Sequence, residues 1–166
     1  YNYGEYEKIF KPMIFAAAIV AVTGILQYFG YNFIPHEYYD SSAYSTMGNP
    51  NWLATYLVMI LPASILLYIF NHDRRMLITS GIIFAGLLVS LTRGAWLAFF
   101  IAFCIMCVYI VLKKKGLRNL GNLVIIFTLV TIILLPTNDG LIYKRAFSIP
   151  ENINLAVKNE GQAGSN

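Results

Sequence analysis

Charge is what this sequence has least of. Only 12% of its 166 residues are Asp, Glu, Lys or Arg, where a soluble domain carries about a quarter. With 58% hydrophobic residues and a mean hydropathy of +0.61, a water-soluble globular domain is excluded and an integral membrane protein is expected. Histidine and cysteine are sparse as well, two of each. His36 is a lone loop histidine, and His72 sits in the basic turn Asn71-His72-Asp73-Arg74-Arg75. Neither has a metal or nucleophile partner in the pattern, so both read as polar surface groups. Cys104 and Cys107 form a C-x-x-C inside an apolar run, with no second pair. Zinc or redox chemistry wants polar, reachable thiols, so these two read as small buried side chains. No metal and no cofactor is expected. Glu37 and Asp40 are three apart on a polar loop and read as a solvated face rather than a paired acid and base.

What is present instead is a set of apolar runs. Five have spanning length: 12–29, 52–70, 76–91, 95–112 and 120–135. Runs of about 16–19 residues cover about 24–29 Å as helix, close to a ~30 Å hydrocarbon core. Backbone polar groups cannot stay unpaired in lipid, so each run must be helical. The expected fold is an all-α polytopic transmembrane bundle of about five spans over residues 1–135. The chain shows no signal-peptide pattern, repeat or low-complexity tract. It opens on Tyr1 and closes on the polar run Glu160 to Asn166, and so reads as a piece of a longer protein. Residues 136–166 are expected to be the truncated start of an extracytoplasmic loop.

A net charge of +4 would suggest nucleic acid in a soluble chain. Here the basic residues cluster between apolar runs, which is a topology signal, and no nucleic-acid partner is expected. Lys8, Lys11, Arg74, Arg75, Lys113, Lys114, Lys115 and Arg118 fall on one side if the helices alternate. The positive-inside rule makes that side, and the N-terminus, cytoplasmic. Arg93, Lys144, Arg145 and Lys158 fall on the other. Tyr28, Tyr31, Tyr38, Tyr39, Tyr44, Trp52 and Trp96 gather at that outer boundary, as an aromatic belt would.

Between Leu77 and Leu112 the one charged residue is Arg93, in Ser90-Leu91-Thr92-Arg93-Gly94-Ala95-Trp96. An arginine at a bilayer's centre costs roughly 2.5–3.5 kcal/mol on insertion scales, so it belongs at a surface or is kept for a task. Gly48-Asn49-Pro50-Asn51-Trp52 reads as a helix start, with Asn49 as cap and Pro50 in the first helical position. Two helices then begin at the outer boundary, each pointing a positive dipole end outward. With Arg93 and the Asn49 and Asn51 amides they form a candidate anion site, and arginine's fork suits phosphate. The alternative is an arginine that snorkels into headgroups beside an ordinary Asn-Pro cap. Pro62 is expected to kink the second helix and free the carbonyl near Val58. Lys144 and Arg145 lie in Leu141-Ile142-Tyr143-Lys144-Arg145-Ala146-Phe147, which reads as an interfacial amphipathic turn touching membrane lipids.

Tyr44-Ser45-Thr46-Met47-Gly48-Asn49-Pro50-Asn51-Trp52-Leu53-Ala54-Thr55-Tyr56 and Ser90-Leu91-Thr92-Arg93-Gly94-Ala95-Trp96-Leu97-Ala98 resemble motifs of the O-antigen ligase and polymerase family. Both occur in order, separated by a helix, a basic turn and a second helix. The resemblance implies a polytopic glycosyltransferase of the bacterial cytoplasmic membrane. Such enzymes take a glycan from a polyprenyl-diphosphate carrier on the outer leaflet and join it to the hydroxyl of a glycan or lipid acceptor. It implies that Arg93, in a Ser/Thr-Arg-Gly motif, holds the diphosphate and acts in catalysis. Thr92 stands where the family often has serine. The large outer loop implied after the fifth helix carries another arginine and a histidine proposed as base. Arg145, near the start of that loop, joins Asn49 and Asn51 as a candidate substrate-binding residue. His36 and His72 are in the wrong segments to supply the base, so the piece alone is expected to be inactive. Two other classes remain open: a transporter or flippase for an anionic lipid-linked glycan, and a non-catalytic membrane scaffold. The five runs lack the mid-span charges a transporter calls for.

Overall fold

A computed structural model describes residues 3–31, 42–114 and 116–147. His36, Glu37, Tyr38, Tyr39, Asp40, Lys115, Lys158 and residues 148–166 lie outside them. Regular structure among the described residues is helical. It comprises α1 (Tyr3–Tyr28), a 3₁₀ turn at Ser45–Met47, α2 (Pro50–Asn71), α3 (Arg74–Val89), α4 (Arg93–Lys113), α5 (Leu117–Leu134), a 3₁₀ turn at Asn138–Gly140, and α6 (Leu141–Phe147). Helices α1, α2, α4 and α5 are long and apolar enough to cross a membrane. The protein is an all-α, multi-pass membrane protein. The third apolar run forms α3, only 16 residues, about 24 Å long and short of a full hydrocarbon core.

Short as it is, α3 is the centre of the bundle. It packs against α1, α2, α4 and α5, and 11 of its 16 residues are buried. Small residues make this possible. A Cβ added at Gly86 would fall 2.7 Å from the Cβ of Ala21, so only glycine lets α1 and α3 cross this closely. Between α2 and α3 the hydroxyls of Ser64 and Ser80 are 2.7 Å apart, and Ser80 Oγ donates to Met76 O at 2.7 Å. Both hydroxyls are thus satisfied inside the bundle. Helix α4 is the opposite case. Of its 21 residues only Phe99 and Ile110 are buried, and Leu97, Phe100, Ile101, Ile105 and Val108 face outward. Phe99 joins Phe84 and Phe127, the last two stacked at 4.3 Å, to fix α4 to α3 and α5.

The cysteine expectation is corrected here. Cys104 is exposed and Cys107 half-buried, both as free thiols, because α4 presents most of its circumference to the surroundings rather than to protein. The aromatic belt is also thinner than expected. Trp52 and Tyr31 are exposed, but Tyr28 and Tyr44 are buried within the fold. Pro62 sits inside α2, which runs through it from Pro50 to Asn71.

Local chemistry sets the turns. Asp73 caps α3, accepting from the Arg75 N–H at 2.9 Å. The α4–α5 turn passes through Gly116 at φ +80, where a Cβ would lie 2.6 Å from Ile69 Cγ2; only glycine meets both demands. Lys11 pairs with Glu7 and lies 3.8 Å from Asp73 Oδ2, bringing the start of α1 beside the α2–α3 turn. One end of the bundle therefore collects Lys11, Arg74 and Arg118, and the other collects Arg93 and Arg145.

Candidate functional site

At that second end α2 and α4 both begin. Asn49 is the α2 cap in extended conformation, and its Oδ1 accepts the Asn51 N–H at 2.8 Å, with Pro50 next in the chain. The expected cap is present, and it commits Asn49 Oδ1 to the helix. Thr92 is the α4 cap, but its side chain makes no capping hydrogen bond. Its Oγ1 turns instead toward α2, 3.4 Å from Pro50 O and from Asn51 Oδ1, and 3.3 Å from Ser90 O. One proton serves these acceptors in turn and ties the two helix starts together.

The turn between α3 and α4 is tight. Leu91 adopts φ +53, a left-handed conformation that costs a branched-chain L-residue about 1–2 kcal/mol. The neighbours hold it there. Ser90 Oγ donates to Leu87 O at 2.7 Å, the Trp96 indole N–H donates to the same carbonyl at 2.9 Å, and the Ala43 N–H donates to Val89 O at 3.1 Å. Trp96 therefore works as a clamp across the turn as well as a boundary aromatic.

The segment before α2 is held by a buried polar network. Gln27 Oε1, near the end of α1, accepts the Tyr44 N–H at 3.2 Å and the Ser45 N–H at 2.5 Å. Ser45 Oγ donates to Val20 O at 2.6 Å and also meets the Thr23 hydroxyl. On the other flank the chain after α5 folds back onto α1. Tyr28 O–H donates to Thr137 O at 3.2 Å, and Asn138 Nδ2 donates to Tyr28 O at 2.5 Å. Asn138, Asp139 and Gly140 are all left-handed, at φ 49, 55 and 69; Asn, Asp and Gly are the residues that tolerate this conformation best. The reversal starts α6, whose Ile142 is buried while Tyr143 and Phe147 stay exposed.

These constraints bring Asn49, Asn51, Ser90, Thr92, Arg93 and Arg145 around one open cavity of about 620 Å³. All four residues singled out in the sequence, Arg93, Asn49, Asn51 and Arg145, line it. Arg93 is the first residue of α4, half-buried, with its Nε shielded from solvent. Each arginine is also held by an interaction of its own within the chain. Among the described residues lining the cavity there are two guanidinium groups, two amides, three hydroxyls and no carboxylate. With the positive ends of α2 and α4 opening here, the arrangement favours an anion with several oxygens. No imidazole or carboxylate among the described lining residues could act as a general base.

Sequence reading missed the residues that build the cavity. Gln27 carried a signal, a lone amide within an apolar run. The Asn138-Asp139-Gly140 reversal carried one too. Tyr28 carried none, since its hydroxyl partners lie 109 residues away. No family model, curated protein sequence or solved structure matches the chain. The likeness to the O-antigen ligase and polymerase family stands on the two motifs, both of which border this cavity.

Proposed function

We propose that the chain is part of an inverting membrane glycosyltransferase of O-antigen ligase or polymerase type. In this reading it sits in a bacterial cytoplasmic membrane with its N-terminus inside. The donor is a glycan on a polyprenyl-diphosphate carrier and the acceptor is a hydroxyl of a glycan or lipid. The observation that carries the reading is the meeting of Arg93, Arg145, Asn49 and Asn51 around one cavity where two membrane helices begin.

The chemistry follows from charge. The acceptor oxygen attacks the anomeric carbon, the bond to the diphosphate breaks, and the diphosphate leaves with its electron pair. Arg93 is set at a helix N-terminus, so guanidinium and dipole act on the same developing charge without reorganising. Arg145 adds a second cation from α6. Asn51 and Thr92, tied to each other across the two helix starts, hold the mouth of the cavity in shape. The acceptor's proton goes to a base outside the described residues, in the loop after α5.

The test is Arg93→Lys in the full-length protein. A lysine keeps the charge but loses the two-pronged geometry. Glycan transfer is expected to fall about 100-fold or more, the usual loss when one donor to a developing anion is removed, with membrane insertion and protein level unchanged. Transfer at the wild-type rate would remove Arg93 from the reaction and with it this reading.

A further inference from the structure

The opposite end of the bundle holds a second polar cavity, of about 470 Å³, lined by Tyr68, His72, Arg74, Arg118, Asn119 and Asn122. It lies where α2 ends and where α3 and α5 begin. Its floor is built from buried groups. Asn119 is buried at 4% exposure, and its Nδ2 donates to Ile69 O at 3.2 Å and approaches His72 Nδ1 at 2.6 Å. With the amide so directed, Nδ1 is the acceptor and the imidazole proton sits on Nε2. Asn122 Nδ2 donates to the hydroxyl of buried Tyr68 at 3.0 Å. His72 itself takes a left-handed conformation to close α2, its N–H donating to Tyr68 O.

On this fixed floor stand two exposed cations. Arg74 is the first residue of α3 and Arg118 is in the first turn of α5, and neither helix has an acid in its first turn. Arg118 thus sits at the positive end of the α5 dipole with no acid in that turn, while Arg74 follows the Asp73 cap at the start of α3. Asp73, the α3 cap, is not among the lining residues; its carboxylate accepts the Arg75 N–H and faces Lys11. The cavity is thus lined by two arginine forks, a histidine, two amides and a tyrosine hydroxyl, with no described carboxylate among the lining residues.

We infer that this cavity is a binding site for a phosphate group, presented by the headgroup of an anionic phospholipid in the leaflet at this end of the bundle. Basic pockets between membrane helices select such headgroups, and the site is distinct from the cavity of Arg93. The inference needs only the membrane fold and is independent of the proposed transferase activity.

The experiment uses the full chain, delipidated in detergent, with lipid binding read by native mass spectrometry. Phosphatidylglycerol is the probe, phosphatidylcholine the neutral control, and inorganic phosphate the competitor. Wild type is expected to retain phosphatidylglycerol over phosphatidylcholine. R118Q should weaken phosphatidylglycerol by about 5-fold and R74Q/R118Q by about 25-fold, the factors expected per basic residue. R75Q, which alters a neighbour outside the lining, should leave it unchanged. If the double variant does not fold, R118Q alone carries the test. Failure of inorganic phosphate to compete assigns the site to the lipid headgroup. Competition at equal affinity keeps the phosphate site but overturns the lipid as its source. Equal retention by R74Q/R118Q and wild type overturns the site, as does an equal loss in R75Q.

Discussion

Helices α3 and α4 are neighbours, joined by a three-residue turn, and both are predominantly apolar, yet they occupy opposite environments. Eleven of 16 residues of α3 are buried in protein, against two of 21 in α4. The difference lies in side-chain size. Helix α3 sets Gly86 against Ala21 of α1, Gly81 against Ile126 of α5 and Ser80 against Ser64 of α2, while α4 surrounds itself with Leu, Phe and Ile that suit lipid. In a membrane the apolar phase is the same on either side of such a contact, so helix association depends on close packing. The comparison explains why Arg93 can be held firmly. One side of its turn is anchored in the most buried helix, and the other opens a helix free to face the surroundings.

Substitutions of one residue type on the two helices should separate these roles. Leu87 is fully buried and Leu97 is 62% exposed. Leu87→Ala is expected to destabilise the protein by about 2–5 kcal/mol, the usual range for a buried leucine, measured as unfolding of the detergent-solubilised chain. A loss below about 1 kcal/mol there would mean that α3 is not the packed centre. Next in size, Gly86→Val inserts a branched side chain where Ala21 already stands 2.7 Å from an added Cβ. Overpacking of this kind costs about 1–3 kcal/mol, and cross-linking between α1 and α3 should weaken with it. The smallest effect belongs to Leu97→Ala, within about 0.5 kcal/mol as for a position without buried contacts. An equal loss at Leu87 and Leu97 would erase the distinction between the two helices.

The two polar ends differ in how far they could be read in advance. Arg93, Asn49 and Asn51 stood out locally, as a lone charge between apolar runs and as an Asn-Pro helix start. Their meeting follows from helices that alternate direction. Arg145 stood out only as part of a short amphipathic stretch. It reaches the same cavity because Tyr28 captures Thr137 and Asn138 across more than a hundred residues. At the other end, the basic residues of the α2–α3 and α4–α5 turns were legible as a topology signal. The floor under Arg74 and Arg118 was not, because Asn119 is one amide in a leucine-rich stretch and gains its role from the α2 carbonyls it meets. The exposure of Cys104 is hidden for a related reason: an apolar neighbourhood in the chain does not say whether protein or lipid surrounds it.

Hydropathy, capping residues and the placement of basic side chains were enough to read off a membrane-embedded helical protein, the positions of its turns and the residues at its two polar ends. These properties depend on short stretches of chain meeting water or lipid, and local composition governs that choice. Which helix sits at the centre, which face of α4 stays open and which distant residues close each cavity depended on the packed bundle. Those outcomes come from side-chain volumes and hydrogen bonds between segments far apart in the chain, where two adjacent helices diverge according to how closely a neighbour can approach.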